Sequence, residues 1–155
     1  MDSKRGTCGN MAALHVAIGW RLGWPVSLSC VGSHLICRYD DGKVTHNIEA
    51  TQTGAGGFSS RSDARYIEEY RIPPKAVQIG SDLRALKPRE MLGIFVGMRA
   101  RHFRDIGSWP EADQDYCLAR YLFPNNQRLF LSGTEIALNR KDDLFDYPGP
   151  VLAVW

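Results

Sequence analysis

Residues 6–28 read GTCGNMAALHVAIGWRLGWPVSL, and their periodicity decides the fold. Met11, Leu14, Ile18 and Leu22 recur at intervals of three and four, the spacing of one helix face. Gly23 and Pro25 stop the pattern, which predicts an amphipathic helix over 8–22 with that apolar stripe, followed at once by a strand. The next runs, 25–32 (PVSLSCVG) and 33–40 (SHLICRYD), are rich in β-branched and aromatic residues. Asp41-Gly42 is a strong hairpin signal before 43–51 (KVTHNIEAT). A helix on a small antiparallel sheet follows, which is an α+β core.

Beyond it, 52–61 (QTGAGGFSSR) reads as a loop, Ser62-Asp63 caps a helix to about residue 71, and Pro73-Pro74 ends that helix. The texture then becomes helical, over 87–106, 109–122 and 127–139. Ala100, Phe103, Gly107, Ala112, Tyr116, Ala119 and Pro124 stand at the small, aromatic, turn and terminating positions of one tetratricopeptide-like hairpin. The domain reading is a core over 1–80, a helical unit over 86–139, and an extended tail over 140–155 lying across a groove.

The whole chain of 155 residues is 44% hydrophobic and 23% charged, with no apolar run of membrane-spanning length and no secretory signal in its first residues, so a cytoplasmic protein off the membrane is expected. Its net charge of +2 arises from interspersed charges and offers no stripe for nucleic acid. Four scattered cysteines without an export signal are expected to be thiols.

Cys8 is the thiol whose position carries chemistry. The first turn of a helix presents unpaired amides and the positive dipole end, which favour a thiolate. A nucleophilic thiol also needs a base. His15 lies two turns along the same helix, and His102 stands among arginines. His34, at the start of a strand, is the best base, with His46 the remaining histidine. A third group has to orient the imidazole, and Asn47 and Glu49 share one face of the next strand. The hairpin register brings His34 opposite a residue near Glu49, which favours Glu49 over Asn47. Cys30, His34 and Cys37 have a zinc-like spacing, but His34 and Cys37 point to opposite faces of a strand, so neither metal nor cofactor is expected.

Together with GSHLICRY (32–39) and NIEAT (47–51), the run 6–28 resembles the core of the transglutaminase-like superfamily, in particular a bacterial branch in which tetratricopeptide helices follow the core. Leu22-Gly23-Trp24-Pro25-Val26 is similar to that branch's Leu-Gly-x-Pro-Val stretch. The resemblance implies a papain-like core with Cys8 as nucleophile, His34 as general base and acid, and Glu49 where the family usually has Asp. A substrate groove bordered by Gly6, Trp24 and Gly32 goes with it. The implied activity is cysteine-dependent acyl transfer or hydrolysis of amide or peptide bonds in a protein or peptide substrate. The alternative is an inactive interaction module on the same scaffold. Two departures stand out: Glu49 is one methylene longer than Asp, and only seven residues precede Cys8 where the family has a helical lobe forming a groove wall. The expectation is that a homodimer partner or another protein supplies that wall, or that the chain is a fragment.

Overall fold

The computed structural model describes residues 6–49, 51, 59–126, 128–129 and 132. The chain divides into two compact units, Met1–Pro88 and Arg89–Trp155. The first runs α1 (Cys8–Arg21), β1 (Val26–Val31), β2 (His34–Asp40), β3 (Thr45–Glu49), β4 (Ser59–Ser60), α2 (Asp63–Tyr70) and α3 (Pro74–Gln78). Its four strands form one antiparallel sheet in chain order. With α4 and α5 of the second unit, the class is α+β.

The buried face of α1 is not the apolar stripe. Gly9, Ala12, Val16 and Gly19 are buried, whereas Leu14, Ile18 and Leu22 are each about half exposed, at 51%, 46% and 57%. Small residues win because the helix approaches the sheet closely: a Cβ added to Gly19 would stand 2.3 Å from Val26 Cγ2. The Trp20 indole N–H donates to the Val26 carbonyl at 2.8 Å, locking the end of α1 to the start of β1.

Register assigns the two faces of the sheet. Val26 pairs with Tyr39, Val31 with His34, and Arg38 with Asn47. Alternation therefore puts Val26, Leu28, Cys30 and Cys37 on the α1 face. Val31, His34, Ile36, Arg38, Asn47 and Glu49 take the other. That second face is covered by a cluster in which Val31 and Ile36 pack with Tyr66, Ile72, Ala76 and Leu83. Segment 81–87 follows the free edge of β1, where the Leu83 and Leu86 amides donate to the Cys30 and Leu28 carbonyls at 2.9 Å and the Ser27 hydroxyl donates to the Leu86 carbonyl. An edge strand is thereby covered rather than left as a template.

Three local features differ from the sequence reading. The β2–β3 turn is wider than two residues, because the Asp41 carboxylate accepts the Lys43 and Val44 amides at 2.8 Å and keeps both out of the strand. Pro73-Pro74 does more than end a helix: α2 stops at Tyr70 with Arg71 left-handed (φ 50°), and Pro74 starts α3, where a missing amide is harmless. The 52–61 stretch contributes β4; residues 52–58 lie outside the described residues, as do most of 127–139 and the 140–155 tail.

In the second unit α4 (Pro88–Asp105) and α5 (Trp109–Leu122) turn at Gly107 (φ 77°). Ala100, Ala112 and Tyr116 form their small core with Phe103 and Trp109 against it. Arg99 grips Asp115 through two hydrogen bonds of 2.6 and 2.7 Å.

Gly32 and Gly42 both have positive φ (65° and 82°), but a Cβ on Gly32 would meet Tyr70 Cβ at 2.7 Å while one on Gly42 meets nothing. Gly42→Ala is expected to cost only the left-handed strain of about 1–2 kcal/mol, and Gly32→Ala at least about 1 kcal/mol more. Urea unfolding of both variants checks the difference, and equal losses would contradict the packing described.

Candidate active site

The best-built polar constellation lies on the sheet face opposite α1. Glu49 ends β3 at 1% exposure and His34 begins β2 at 8%. Carried one residue past the Cys37–Ile48 pair, the register sets Glu49 opposite Ile36, two residues along β2 from His34. Glu49 is therefore a diagonal neighbour of His34, within reach of a long side chain. The extra methylene of Glu suits this diagonal, and Oε2 lies 2.6 Å from His34 Nε2.

The carboxylate is held from every side. Oε1 accepts the Thr51 amide at 2.8 Å and the Thr51 hydroxyl at 2.9 Å, and Oε2 also accepts the Tyr66 hydroxyl at 3.3 Å. Burial pushes the Glu49 carboxyl's pKa up, but the bonds from Thr51 and His34, with the His34 charge, outweigh it and hold the group below the usual carboxylate range. The same surroundings act oppositely on Tyr66, whose phenol is pushed far up by burial and by the Glu49 charge. Both groups therefore hold their ordinary charge states at neutral pH, with phenol as donor and carboxylate as acceptor. The Tyr70 ring stacks on His34, with centroids 5.8 Å apart and planes 7° from parallel.

Asn47, the other orienting candidate, is occupied elsewhere. Its carbonyl accepts Arg38 Nη1 at 2.7 Å, and its amide donates to Asp63 at 2.7 Å and to the Arg61 carbonyl at 3.0 Å. Arg38 also forks onto Asp63 at 2.8 and 3.1 Å. Burial raises the Asp63 carboxyl, and its bonds to Arg38 and Asn47 more than reverse that, so it stays low and charged. This cluster ties α2 to the sheet, two residues along from the His34–Glu49 pair.

Cys8 opens α1 and is half-buried. Thr7 does not cap the helix: its hydroxyl donates to Asn10 Oδ1 at 3.2 Å, and the first intrahelical bond runs from the Met11 amide to the Thr7 carbonyl at 3.0 Å. No acidic residue stands in the first turn, so the amides of Cys8, Gly9 and Asn10 keep their positive end for an anion. The α1 helix that carries Cys8 packs on one face of the sheet, and the His34 side chain lies on the other. Among the described residues neither the Cys8 thiol nor His34 Nδ1 has a hydrogen-bond partner. Of the other thiols, Cys30 and Cys37 are buried, burial pushing Cys37 up to about 11, and Cys117 receives an Arg120 N–H at 3.3 Å.

Of the groove residues, Gly32 makes the β1–β2 turn and donates its amide to buried Asp82 at 2.7 Å. Trp24 is 54% exposed after α1, and Gly6 lies exposed before Cys8, near Met11. His15 Nδ1 is 2.7 Å from the Met11 carbonyl within α1, and His102 sits tilted against Phe103. Among the described residues no group of three His, Cys, Asp or Glu could hold a metal ion, and no helix is long and apolar enough to cross a membrane. Sequence reasoning missed Tyr66, Tyr70 and Asp82, which lie outside the motif; the i, i+4 spacing of Tyr66 and Tyr70 was the available signal.

No protein-family model, curated protein or solved structure matches the chain. The functional reading therefore rests on its own residues.

Because the folded Glu49 carboxyl is held below its unfolded value near 4.5, it contributes stability that is full above that value and lost as pH falls through the folded one. Protection factors of the Ile36 and Cys37 amides, referred to intrinsic exchange rates, should fall below about pH 4.5 in the parent and show a flatter acid response in Glu49→Gln. Identical slopes would show that the carboxylate carries no such stability.

Proposed function

We propose that the protein is a cysteine-dependent acyl transferase or hydrolase of the transglutaminase-like kind, acting on amide or ester carbonyls. The observation that carries this reading is the buried His34–Glu49 pair. When Nε2–H donates to the carboxylate, the neutral ring leaves Nδ1 bare to take a proton. The residue is 8% exposed overall, and Nδ1 is not engaged by the Glu49 carboxylate that holds Nε2.

Its partner would be the Cys8 thiol. The chain reverses at Gly23, so β1 runs back along α1, and 14 helical residues rise about 21 Å against about 20 Å for six strand residues. The proposed reaction requires the Cys8 end of α1 at the level of the Val31–His34 turn, and these matching ideal lengths support it. His34 is the first residue of β2, where a ring can be approached around the end of the sheet.

The chemistry divides into two steps. Cys8 Sγ gives its proton to His34 and attacks the carbonyl carbon, forming the C–S bond, while first-turn amides of α1 receive the developing oxyanion. His34 then protonates the leaving amine or alcohol as its bond to carbon breaks, and a thioester remains. Water or an amine, deprotonated by His34, attacks the thioester, and the thiol leaves with the proton. Glu49 stabilises the transient imidazolium and keeps the ring in one tautomer. A protein or peptide is the proposed substrate class.

A second reading, an inactive scaffold serving interactions, is favoured by one observation: α1 and the His34 ring lie on opposite faces of the sheet. The two readings part on the reactivity of Cys8. Iodoacetamide labelling near pH 7, resolved by peptide mass, should modify Cys8 faster than Cys30 or Cys37 and be slowed about tenfold or more by His34→Ala. Labelling at Cys8 unchanged by that substitution would leave the scaffold reading standing and overturn the proposal.

A further inference from the structure

Resting on the acyl-transfer reading of this site, we infer that Tyr66 and Thr51 are positioning residues: they hold the Glu49 carboxylate at the angle that keeps His34 as its Nε2–H tautomer, with Nδ1 unprotonated. Neither belongs to the Cys–His–acid set. The need for them follows from register. Glu49 stands opposite Ile36 by register, so its carboxylate reaches His34 only by leaning two residues along the strand. A glutamate has three rotatable torsions, and a free one would populate several rotamers rather than that lean.

Two independent elements impose it. Thr51 closes on one oxygen with both its amide and its hydroxyl, at 2.8 and 2.9 Å, and so leaves Oε2 for the ring. Tyr66 comes from α2 on the covering layer. Its side chain is fully buried among Val31, Ile36 and Ile72, and its hydroxyl donates to Oε2 at 3.3 Å. Oε2 is thus shared between the phenol and the imidazole, and the carboxylate cannot rotate without losing donors in a site closed to water. Tyr70, four residues along α2, lies flat on the same imidazole at 5.8 Å, so one helix fixes both the acid and the ring plane. A purely structural hydroxyl would stabilise the fold and leave the tautomer alone. A positioning hydroxyl changes the tautomer.

The test is ¹⁵N NMR of the His34 ring in the full chain near neutral pH, beside Cys8 labelling by iodoacetamide. The parent should show one tautomer, protonated at Nε2. Tyr66→Phe and Thr51→Val should each introduce the Nδ1–H form, and the double variant should mix the two forms and slow Cys8 labelling about tenfold. Thr51→Ser, which keeps both donors, should restore parent behaviour. Tyr39→Phe removes a hydroxyl bonded only to Asp41 at an exposed turn and should change nothing. The single variants carry the test if the double fails to fold. A parent-like tautomer in both singles, or in a folded double variant, overturns the inference. A mixed tautomer with undiminished Cys8 labelling keeps the positioning role and instead removes the acyl-transfer reading on which it was built.

Discussion

A carboxylate with 1% exposure stays charged inside a protein only if donors replace the water it has lost, and Glu49 is met by four of them. They come from β2, from Thr51 two residues past the end of β3, and from α2. Meeting that requirement sets the relation of three elements at once. The strand register must bring His34 within diagonal reach, Thr51 must present its amide and hydroxyl to the carboxylate, and α2 must lie across the sheet with Tyr66 inward. Arg38, Asn47 and Asp63 form a second polar link between the sheet and α2, with the carboxylate now supplied by the helix. Two hydrogen-bonded polar clusters flank Ile36, and they give the apolar layer of Val31, Ile36 and Tyr66 a single alignment.

The opposite face is governed by size rather than charge. Gly9, Ala12, Val16 and Gly19 let α1 settle onto the sheet, so close at Val26 that Gly19 has no room for a methyl group. The α1 helix packs on one face of the sheet and the His34 ring lies on the other. Between β1 and β2, Gly32 keeps the turn thin enough for Tyr70 to lie against it.

Much of this was legible in the sequence because short-range rules control it. The stop at Gly23-Pro25, the Ser62 cap and the Asp41-Gly42 turn gave the elements, and strand alternation alone put Asn47 and Glu49 on one face. The choice of Glu49 over Asn47 followed from counting across the hairpin, although the wider turn makes the contact diagonal rather than direct. What was not legible depends on tertiary approach. The Met11–Leu22 stripe has helical period, yet burial went to the small residues because the sheet came within reach of a glycine. The segment 81–87 has no strand pattern, yet its Leu83 and Leu86 amides find the unpaired edge of β1. Tyr66 and Tyr70 read as ordinary core aromatics until the fold sets one hydroxyl on a carboxylate and one ring on an imidazole.

In the proposed reaction the pinned imidazole makes Cys8 an acyl acceptor. Single-turnover reaction of the full chain with an activated acyl ester, followed by intact and peptide mass, measures this directly. The account predicts one acyl group on Cys8, released by hydroxylamine as a thioester is, and formed at least about tenfold more slowly in His34→Ala. Acyl groups found only on lysines, or on Cys8 at the same rate without His34, would contradict it.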